Sequence, residues 1–366
     1  MAKLFAPLKV GDLSLKNRII LAPLTRNRNS YERIPNDLML NYYTLRSEFG
    51  LIITEATSIE LRGVGYPRTP GIWNEEQIKH WAKITDEVHR KGGTIFMQLW
   101  HVGRISDPMY INETPVAPSA VKPQIRISLV RPEKYFETPR ALSVTEIKNL
   151  VVTYQNAAKN AKKAGFDGVE IHGANGYLLD QFLQSSTNLR TDDYGGSLAN
   201  RLKFPLEVTD AIIDVWGAGR VGYHISPRCD AHDMKDENPL ETFSALVSEL
   251  SKRNLAFIFA REYVANDSIG PQLRKLFNGT YIANEGFTKE TAEAILNNNN
   301  ADAVAFGVLS IANPDLVEKF KNNLPLRTPN PKTFYNQHKY LFNLAEPIPA
   351  TGFYESDKMG YTSFAD

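Results

Sequence analysis

The fold of this chain is decided at residues 168–177, Gly168-Val169-Glu170-Ile171-His172-Gly173-Ala174-Asn175-Gly176-Tyr177. A short apolar run ends here in an imidazole, a carboxamide and a phenol. Because His172 and Asn175 are three residues apart, the spacing predicts one helical turn with both side chains on the same side. Two such donors can hold one oxygen atom, and Tyr177 follows closely enough to reach the same ligand. The pattern predicts a site that polarises a carbonyl group beside an acid. The alternative is a helix start that carries polar residues without a function.

Apolar, β-branched segments alternate with helix-length amphipathic segments along the chain. The predicted strands are 18–24, 51–59, 94–101, 168–172, 220–226, 255–260, 279–283 and 303–308. The predicted helices are 35–48, 74–91, 144–164, 200–216, 239–253, 268–276, 288–296 and 314–322. Near-continuous apolar strands between helices predict a parallel sheet, and eight such units favour an α/β fold, the (β/α)8 TIM barrel. An open doubly wound sheet is the alternative, but no G-x-G-x-x-G follows the first strand.

Two segments do not fit the alternation of strand and helix. Residues 103–142 lack a helical pattern, which predicts an excursion over the barrel mouth after the third strand. The tail from Thr328 is rich in aromatic residues, proline and asparagine, and we expect it to fold back over the mouth. Both segments are interpreted as parts of one barrel domain that spans residues 1–366.

The composition is that of an ordinary globular protein. The chain has 366 residues, of which 42% are hydrophobic and 10% aromatic, and its formal net charge is +1. This charge gives no electrostatic reason to expect a nucleic acid or a membrane as partner. Cys229 is the single cysteine, which excludes an internal disulfide and a multi-cysteine metal site, and no metal is predicted. No secretion signal and no apolar run of about 18 residues occurs, so a cytoplasmic protein is expected.

Longer motifs occur in a fixed order along nearly the whole chain. They are Asn17-Arg18-Ile19, Ala22-Pro23-Leu24-Thr25-Arg26, Gln98-Leu99-Trp100-His101, Thr138-Pro139-Arg140-Ala141-Leu142, the run at residues 172–177, Asp192-Asp193-Tyr194-Gly195-Gly196-Ser197 and Ile311-Ala312-Asn313-Pro314. In this order they resemble the Old Yellow Enzyme family of FMN-dependent ene-reductases, most closely its N-ethylmaleimide reductase-like branch. The resemblance implies a barrel that binds FMN, takes electrons from NADPH or NADH and acts on a small-molecule substrate.

The resemblance also implies roles for individual residues. Those expected to contact the flavin are Pro23, Leu24, Thr25, Ala56, Gln98, His224, Gly286, Gly307 and Val308. Those expected to line the substrate side are Tyr66, Trp100, His172, Asn175 and Tyr335. His172 and Asn175 are expected to bind the oxygen of an activating carbonyl or nitro group. Tyr177 is expected to protonate the α carbon after hydride transfer to the β carbon.

Three positions on the cofactor side depart from the family pattern. His224 stands where an arginine usually faces the flavin ring, so stabilisation of the anionic reduced flavin is expected to weaken or to depend on pH. Val308 stands where an arginine usually grips the phosphate, and Glu285 adds a carboxylate to a loop that is usually glycine-rich. A lost charge-assisted contact costs on the order of 1.5–3 kcal/mol, so weak FMN binding is expected.

The sequence therefore supports two functions. The first is an FMN-dependent oxidoreductase that reduces α,β-unsaturated carbonyl or nitro alkenes with NAD(P)H by ping-pong hydride transfer. The second is a flavin-poor or catalytically silent barrel that binds planar carbonyl ligands, and the three departures favour it. An aldolase is more distant, because no lysine stands out at the end of a predicted strand. Compensation for the lost phosphate contact would have to come from Arg228, Arg261 or Lys289.

Overall fold

The computed structural model describes residues 2–130, 132–335, 358 and 361–362, and eight parallel strands close into a barrel. These strands are β1 (Ile19–Leu21), β2 (Leu51–Ile53), β3 (Ile95–Trp100), β4 (Gly168–His172), β5 (Val221–Ile225), β6 (Phe257–Arg261), β7 (Thr280–Asn284) and β8 (Ala303–Phe306). Each strand pairs with the next in chain order, and β8 pairs with β1 to complete the ring. The predicted (β/α)8 TIM barrel is confirmed.

Eight helices follow the strands and form the outer layer of the barrel. They are α1 (Asp37–Thr44), α2 (Glu75–Arg90), α3 (Val144–Lys163), α4 (Leu198–Trp216), α5 (Pro239–Lys252), α6 (Gly270–Leu276), α7 (Lys289–Asn297) and α8 (Leu316–Asn322). Their apolar faces pack on the outer sides of the strands, where Trp81 and Val88 of α2 are fully buried. Burial of one such large side chain contributes about 1.5–3 kcal/mol. A smaller core inside the barrel contains Phe96, Phe257 and Ile282.

Several predicted boundaries are too wide, and the causes are local. The first strand ends at Leu21, two residues before Pro23, which has no N–H for a ladder. The second predicted strand divides into β2 and a separate pair of residues, Thr57–Ser58. The last helix does not begin at Pro314. A short helix, Val308–Ala312, precedes it and is capped by Asn313, and α8 starts at Leu316. The residue before a proline disfavours the helical region, which separates the two helices.

The predicted excursion at residues 103–142 is confirmed as a cover over the barrel mouth. It contains one short helix, Pro108–Ile111, and a two-stranded pair formed by Val116–Ala117 and Arg140–Ala141. Four of its buried apolar side chains pack against the end of β3 and the residues after β4, namely Ile105, Ile127, Val130 and Phe136.

The tail folds back onto the loop after β1. Arg26 donates hydrogen bonds to the backbone carbonyls of Thr333 and Phe334 at 3.0 and 2.8 Å. The ring of Tyr361 stacks on that of Tyr42, with 4.4 Å between the centroids. The remaining tail residues lie outside those that the structure describes. Within the described ranges, every helix is too short or too polar to cross a membrane.

Candidate active site

A cavity of about 1110 Å³ opens at the C-terminal ends of the barrel strands. This is the end where catalytic residues of such barrels lie. Its walls come from the loops after β1, β4, β5, β6, β7 and β8 and from the excursion. Residues predicted for the site that line the cavity are Pro23, Leu24, Thr25, Tyr66, Asn175, Tyr177, His224, Gly286, Gly307, Val308 and Tyr335. Sequence patterns and chain topology thus place most of the predicted residues around one space.

The predicted helical turn that joins His172 and Asn175 is wrong. His172 is the last residue of β4, and Asn175 lies in the following loop with a φ of 56°. The turn is tight: a Cβ atom on Gly173 would lie 2.3 Å from the ring of Tyr223, so only glycine fits there. The helix Leu178–Leu183 begins after Tyr177. The three side chains are therefore brought to the cavity by a strand end and a left-handed loop, not by a helix face.

The carboxamide of Asn175 is held by a cation two strands further along the barrel. Arg261, at the end of β6, donates from Nη1 to Oδ1 of Asn175 at 3.0 Å. The backbone N–H of Asn175 donates to Oγ of Ser226 at 2.7 Å. Because the amide oxygen is occupied by the guanidinium, the amide NH₂ group remains as the donor for a ligand. This orientation suits the predicted grip on a carbonyl or nitro oxygen.

Aromatic rings form a layered wall beside these donors. Tyr66 stacks on Trp100 at 5.6 Å between ring centroids, Trp100 on His172 at 6.3 Å, and His172 on His224 at 4.9 Å, all within 20° of parallel. The ring of Tyr177 stands at 84° to those of Trp100 and His172, at 5.0 Å from each. Flat walls of this kind favour planar conjugated ligands.

Burial sets the protonation states of the predicted catalytic residues. It lowers the pKa of His172 to about 3, and the nearby charges of Arg261 and His232 add to the effect. His172 is therefore neutral at physiological pH and acts as a hydrogen-bond partner without charge. Burial also raises the pKa of Tyr177 well above its usual value of 10.0, so the phenol keeps its proton until a substrate takes it.

Beneath the cavity, Gln98, Glu170 and His224 form a buried polar group. Nε2 of Gln98 lies 2.6 Å from Oε2 of Glu170 and 3.0 Å from Nδ1 of His224. Burial raises the pKa of Glu170 to about 8 and lowers that of His224 well below 6.5. A neutral His224 favours the first of the two expectations, weaker stabilisation of the reduced flavin, over a pH-dependent one, and its contact with the flavin stays a prediction. Sequence reasoning missed Glu170; its signal was a single acid within an apolar strand.

The end of the cavity where the phosphate is expected, near Gly286, Gly307 and Val308, offers little positive charge. Val308 is 50% exposed on the cavity wall and offers no polar contact. Arg261 forms a salt bridge with the carboxylate of Glu285 at 3.0 Å, and this positive charge offsets the repulsion that was expected between Glu285 and the phosphate. Arg228 is paired with Glu262 and Asp267, and Lys289 binds the backbone carbonyl of Phe320 at 2.6 Å. Of the three cations considered for compensation, Arg261 is the one that lines the cavity.

Four predicted residues lie behind the lining side chains, and one of them is His172, which is 4% exposed. Gln98 is 1% exposed and Trp100 is fully buried. Ala56 packs with Trp100 and Tyr177 in a small apolar cluster. They support the shape of the cavity, and Gln98 also fixes the ring of His224 from below.

Comparison with known proteins identifies the family. A sequence model of the NADH:flavin oxidoreductase / NADH oxidase family matches residues 3–327. The chain belongs to this family. It is 42% identical over 349 residues to putative 12-oxophytodienoate reductase 4 of Oryza sativa subsp. japonica, covering 91% of this chain and 90% of the relative. It is 41% identical over 345 residues to 12-oxophytodienoate reductase 2 of Arabidopsis thaliana, covering 91% and 92%.

Solved structures of this Old Yellow Enzyme group superpose on the whole barrel. Morphinone reductase in complex with tetrahydroNAD has a TM-score of 0.90 and 41% identity, covering 99% of this chain and 97% of the other. The old yellow enzyme homologue from Zymomonas mobilis has a TM-score of 0.89 and 39% identity, covering 93% and 98%. These similarities confirm the predicted enzyme class, an NAD(P)H-dependent FMN reductase. The narrower branch stays a prediction.

The residues of the cavity fit a flavin. Nε2 of His224 and Nδ1 of His172 are buried and have no hydrogen-bond partner among the described residues. Because Gln98 donates to Nδ1 of His224, Nε2 carries the proton and remains as a donor for a ligand. A Cβ atom on Gly307 would lie 3.3 Å from the side chain of Leu24, so a larger residue there would crowd Leu24 on the cavity wall. Thr25 and His224 would hold the ring, and the Gly286 and Gly307 backbones the phosphate.

Proposed function

We propose that the protein reduces alkenes activated by a carbonyl or nitro group, with NAD(P)H as electron donor in a ping-pong cycle. The observation that carries the proposal is the convergence of three neutral donors on one side of the cavity. Asn175 offers its amide NH₂, because Arg261 occupies the amide oxygen at 3.0 Å. His172 is an uncharged imidazole, and Tyr177 is a phenol that keeps its proton.

Each donor has a defined task in this reaction. His172 and Asn175 bind the oxygen of the activating group and draw electron density from the conjugated double bond. The reduced FMN supplies the hydride when bound. Tyr177 then protonates the α carbon, and the stacked rings of Trp100 and Tyr66 keep a planar substrate aligned. Because these donors are neutral, they stabilise the developing enolate but do not attract an unrelated anion into the site before the substrate binds.

The test is an anaerobic stopped-flow experiment on FMN-loaded protein. The flavin is first reduced with NADPH or NADH and then mixed with 2-cyclohexen-1-one or a nitroalkene, and product is identified by gas chromatography. Reoxidation that is first order in alkene, with formation of the saturated product, supports the proposal. Flavin that is reduced by the nicotinamide and reoxidised by oxygen but by no activated alkene would overturn it. Failure to take up FMN would favour the silent barrel that binds planar carbonyl ligands.

A further inference from the structure

Two hydrogen-bond contacts connect Tyr177 to a histidine that the sequence did not single out, and a third holds that histidine to the loop after β4. The hydroxyl oxygen of Tyr177 lies 3.0 Å from that of Tyr66, which lies 3.1 Å from Nε2 of His232. The other ring nitrogen, Nδ1, lies 2.6 Å from the backbone carbonyl oxygen of Asn175. The chain of contacts runs from the substrate side of the cavity to the loop after β5, where His232 has a φ of 60°.

The carbonyl group of Asn175 fixes the tautomer of His232. A carbonyl oxygen only accepts, so Nδ1 carries a proton and, in the neutral ring, Nε2 is an acceptor. Tyr66 must then donate to Nε2, and its oxygen accepts from Tyr177. In this state the Tyr177 proton points toward Tyr66, away from the position where the alkene is expected.

Protonation of His232 reverses the donors in the two contacts between Tyr177, Tyr66 and Nε2 of His232, while Nδ1 keeps donating to the Asn175 carbonyl. The imidazolium carries protons on both nitrogens, so Nε2 donates to Tyr66. Tyr66 in turn donates to Tyr177, and the Tyr177 hydroxyl group is left free to point at the substrate. The two hydroxyl contacts therefore have a withholding state and a delivering state, and one proton on His232 selects between them.

The site has a physical need for such a chain. Burial raises the pKa of both Tyr66 and Tyr177, because a phenolate at either position would lose the hydration that stabilises its charge. If Tyr177 gave up its proton alone, an isolated phenolate would remain in the closed cavity. A proton passed along the chain in the same step prevents this buried charge.

We propose that His232 is a positioning residue which, when protonated, turns the hydroxyl chain toward the substrate and restores the Tyr177 proton through Tyr66. The inference rests on the alkene reduction proposed above. As the α carbon gains its C–H bond, the O–H bond of Tyr177 breaks and the Tyr66 proton moves to Tyr177. The proton on Nε2 of His232 moves to Tyr66. The neutral imidazole then takes a proton from water at the cavity mouth, where His232 is only partly buried.

The surroundings of His232 predict the pH range of the effect. The titratable and charged groups that face it are Tyr66, Tyr177, His172, Arg104 and Arg261, and Asp233 follows it in the chain. Burial lowers the pKa of His232 below its usual 6.5, Arg104 and Arg261 lower it further, and the bond to the Asn175 carbonyl opposes this. The imidazolium is therefore present at acid pH and is lost as pH rises through a value below 6.5.

The experiment is the pH profile of flavin reoxidation by 2-cyclohexen-1-one, measured anaerobically on the pre-reduced holoenzyme. The variants are His232→Gln, which keeps hydrogen-bonding groups but does not titrate, and Tyr66→Phe, which leaves the His232–Asn175 contact in place. His80→Gln on the outer face of α2 is the matched control. The wild type and His80→Gln should react faster at acid pH. His232→Gln and Tyr66→Phe should lose this increase in rate at acid pH. At the pH where the wild type is fastest, both should react roughly tenfold more slowly than the wild type.

The outcomes separate this inference from the proposed function. A purely structural role for His232 predicts that His232→Gln is slowed equally at every pH and keeps the increase in rate at acid pH; that result overturns the inference. A Tyr66→Phe profile that matches the wild type overturns it as well, even if His232→Gln fails to fold. If the wild-type flavin is not reoxidised by the alkene at any pH, the proposed function itself fails.

Discussion

The imidazole rings of His172 and His224 stack at 4.9 Å between their centroids and 16° from parallel. This contact joins the two proposed halves of the cavity, since His172 is proposed for the substrate side and His224 for the flavin side. Burial lowers the pKa of both rings far enough to keep them neutral, and neutral rings stack without charge repulsion. The site therefore presents oriented N–H and O–H donors, with the fixed positive charge of Arg261 on the cavity wall.

Tyr177→Phe separates the two half-reactions of the proposed cycle. Removal of the hydroxyl group takes away the proton for the α carbon, so flavin reoxidation by an activated alkene should slow by roughly 10²–10⁴-fold. Reduction of the flavin by the nicotinamide needs no proton from Tyr177 and should stay within about twofold of the wild type. Stopped-flow measurement of both steps checks this. An equal loss in the two steps would remove Tyr177 from the proton-donor role.

Arg261→Gln tests whether the orientation of Asn175 depends on the guanidinium. Without the 3.0 Å bond to Oδ1, the carboxamide can rotate and present its oxygen to the substrate. The KM for alkene should rise about tenfold, which corresponds to one hydrogen bond of about 1.5 kcal/mol. Glu285→Gln is the matched control, because it removes the charge of the Arg261 partner and leaves the Asn175 contact in place. Similar KM values for the two variants would contradict the orienting role.

Val308→Arg tests the loss of charge at the phosphate end. The side chain of Val308 is 50% exposed on the cavity wall, so an arginine can extend there without displacing the core. A charge-assisted contact of about 1.5–3 kcal/mol should tighten FMN binding roughly tenfold to hundredfold. Val152→Arg on the outer face of α3, 53% exposed, is the control for added charge alone. Fluorescence titration of apoprotein with FMN gives the Kd. Equal Kd values for the wild type, Val308→Arg and Val152→Arg would show that the missing arginine does not weaken FMN binding.

The fold was predictable from the sequence because each barrel strand is an apolar run followed by a helix, and this unit can be recognised locally in the sequence. Apolar runs such as those of β4 and β5 are buried on both faces, and the polar residues that end them meet at one mouth. The relation between His172 and Asn175 was not predictable in the same way. It depends on a left-handed loop, whereas the three-residue spacing suggested a helical turn.

Contacts between distant loops were beyond the reach of sequence spacing. His232 lies 57 residues after Asn175, and Arg261 lies 86 residues after it, yet both bond to it across the mouth. Only the closed ring of strands brings these loops together. From the sequence alone, Glu285 was expected to repel the phosphate. Its salt bridge with Arg261, which the sequence did not predict, offsets that charge.

Glu170→Gln should change how stability depends on pH. Below pH 4.5 the carboxyl group is protonated in both the folded and the unfolded chain, so it contributes no difference. Between pH 4.5 and about 8 the unfolded chain loses the proton while the buried group, whose pKa is raised to about 8, keeps it. Folding therefore binds a proton between pH 4.5 and about 8, and the free energy of unfolding falls as pH rises. The loss reaches on the order of several kcal/mol at about pH 8.

Glutamine removes this titration and retains an oxygen that can accept from Gln98 at the place of Oε2. Urea unfolding of the variant should show a shallower loss of stability from pH 5 to 8, with the largest gain over the wild type at pH 8. Glu55 and Asp180, whose pKa values burial raises to about 7, titrate in both proteins and cancel in the difference. Glu318→Gln, an exposed position on α8, should follow the wild type. Parallel curves for the wild type and Glu170→Gln would show that Glu170 is ionised in the folded protein.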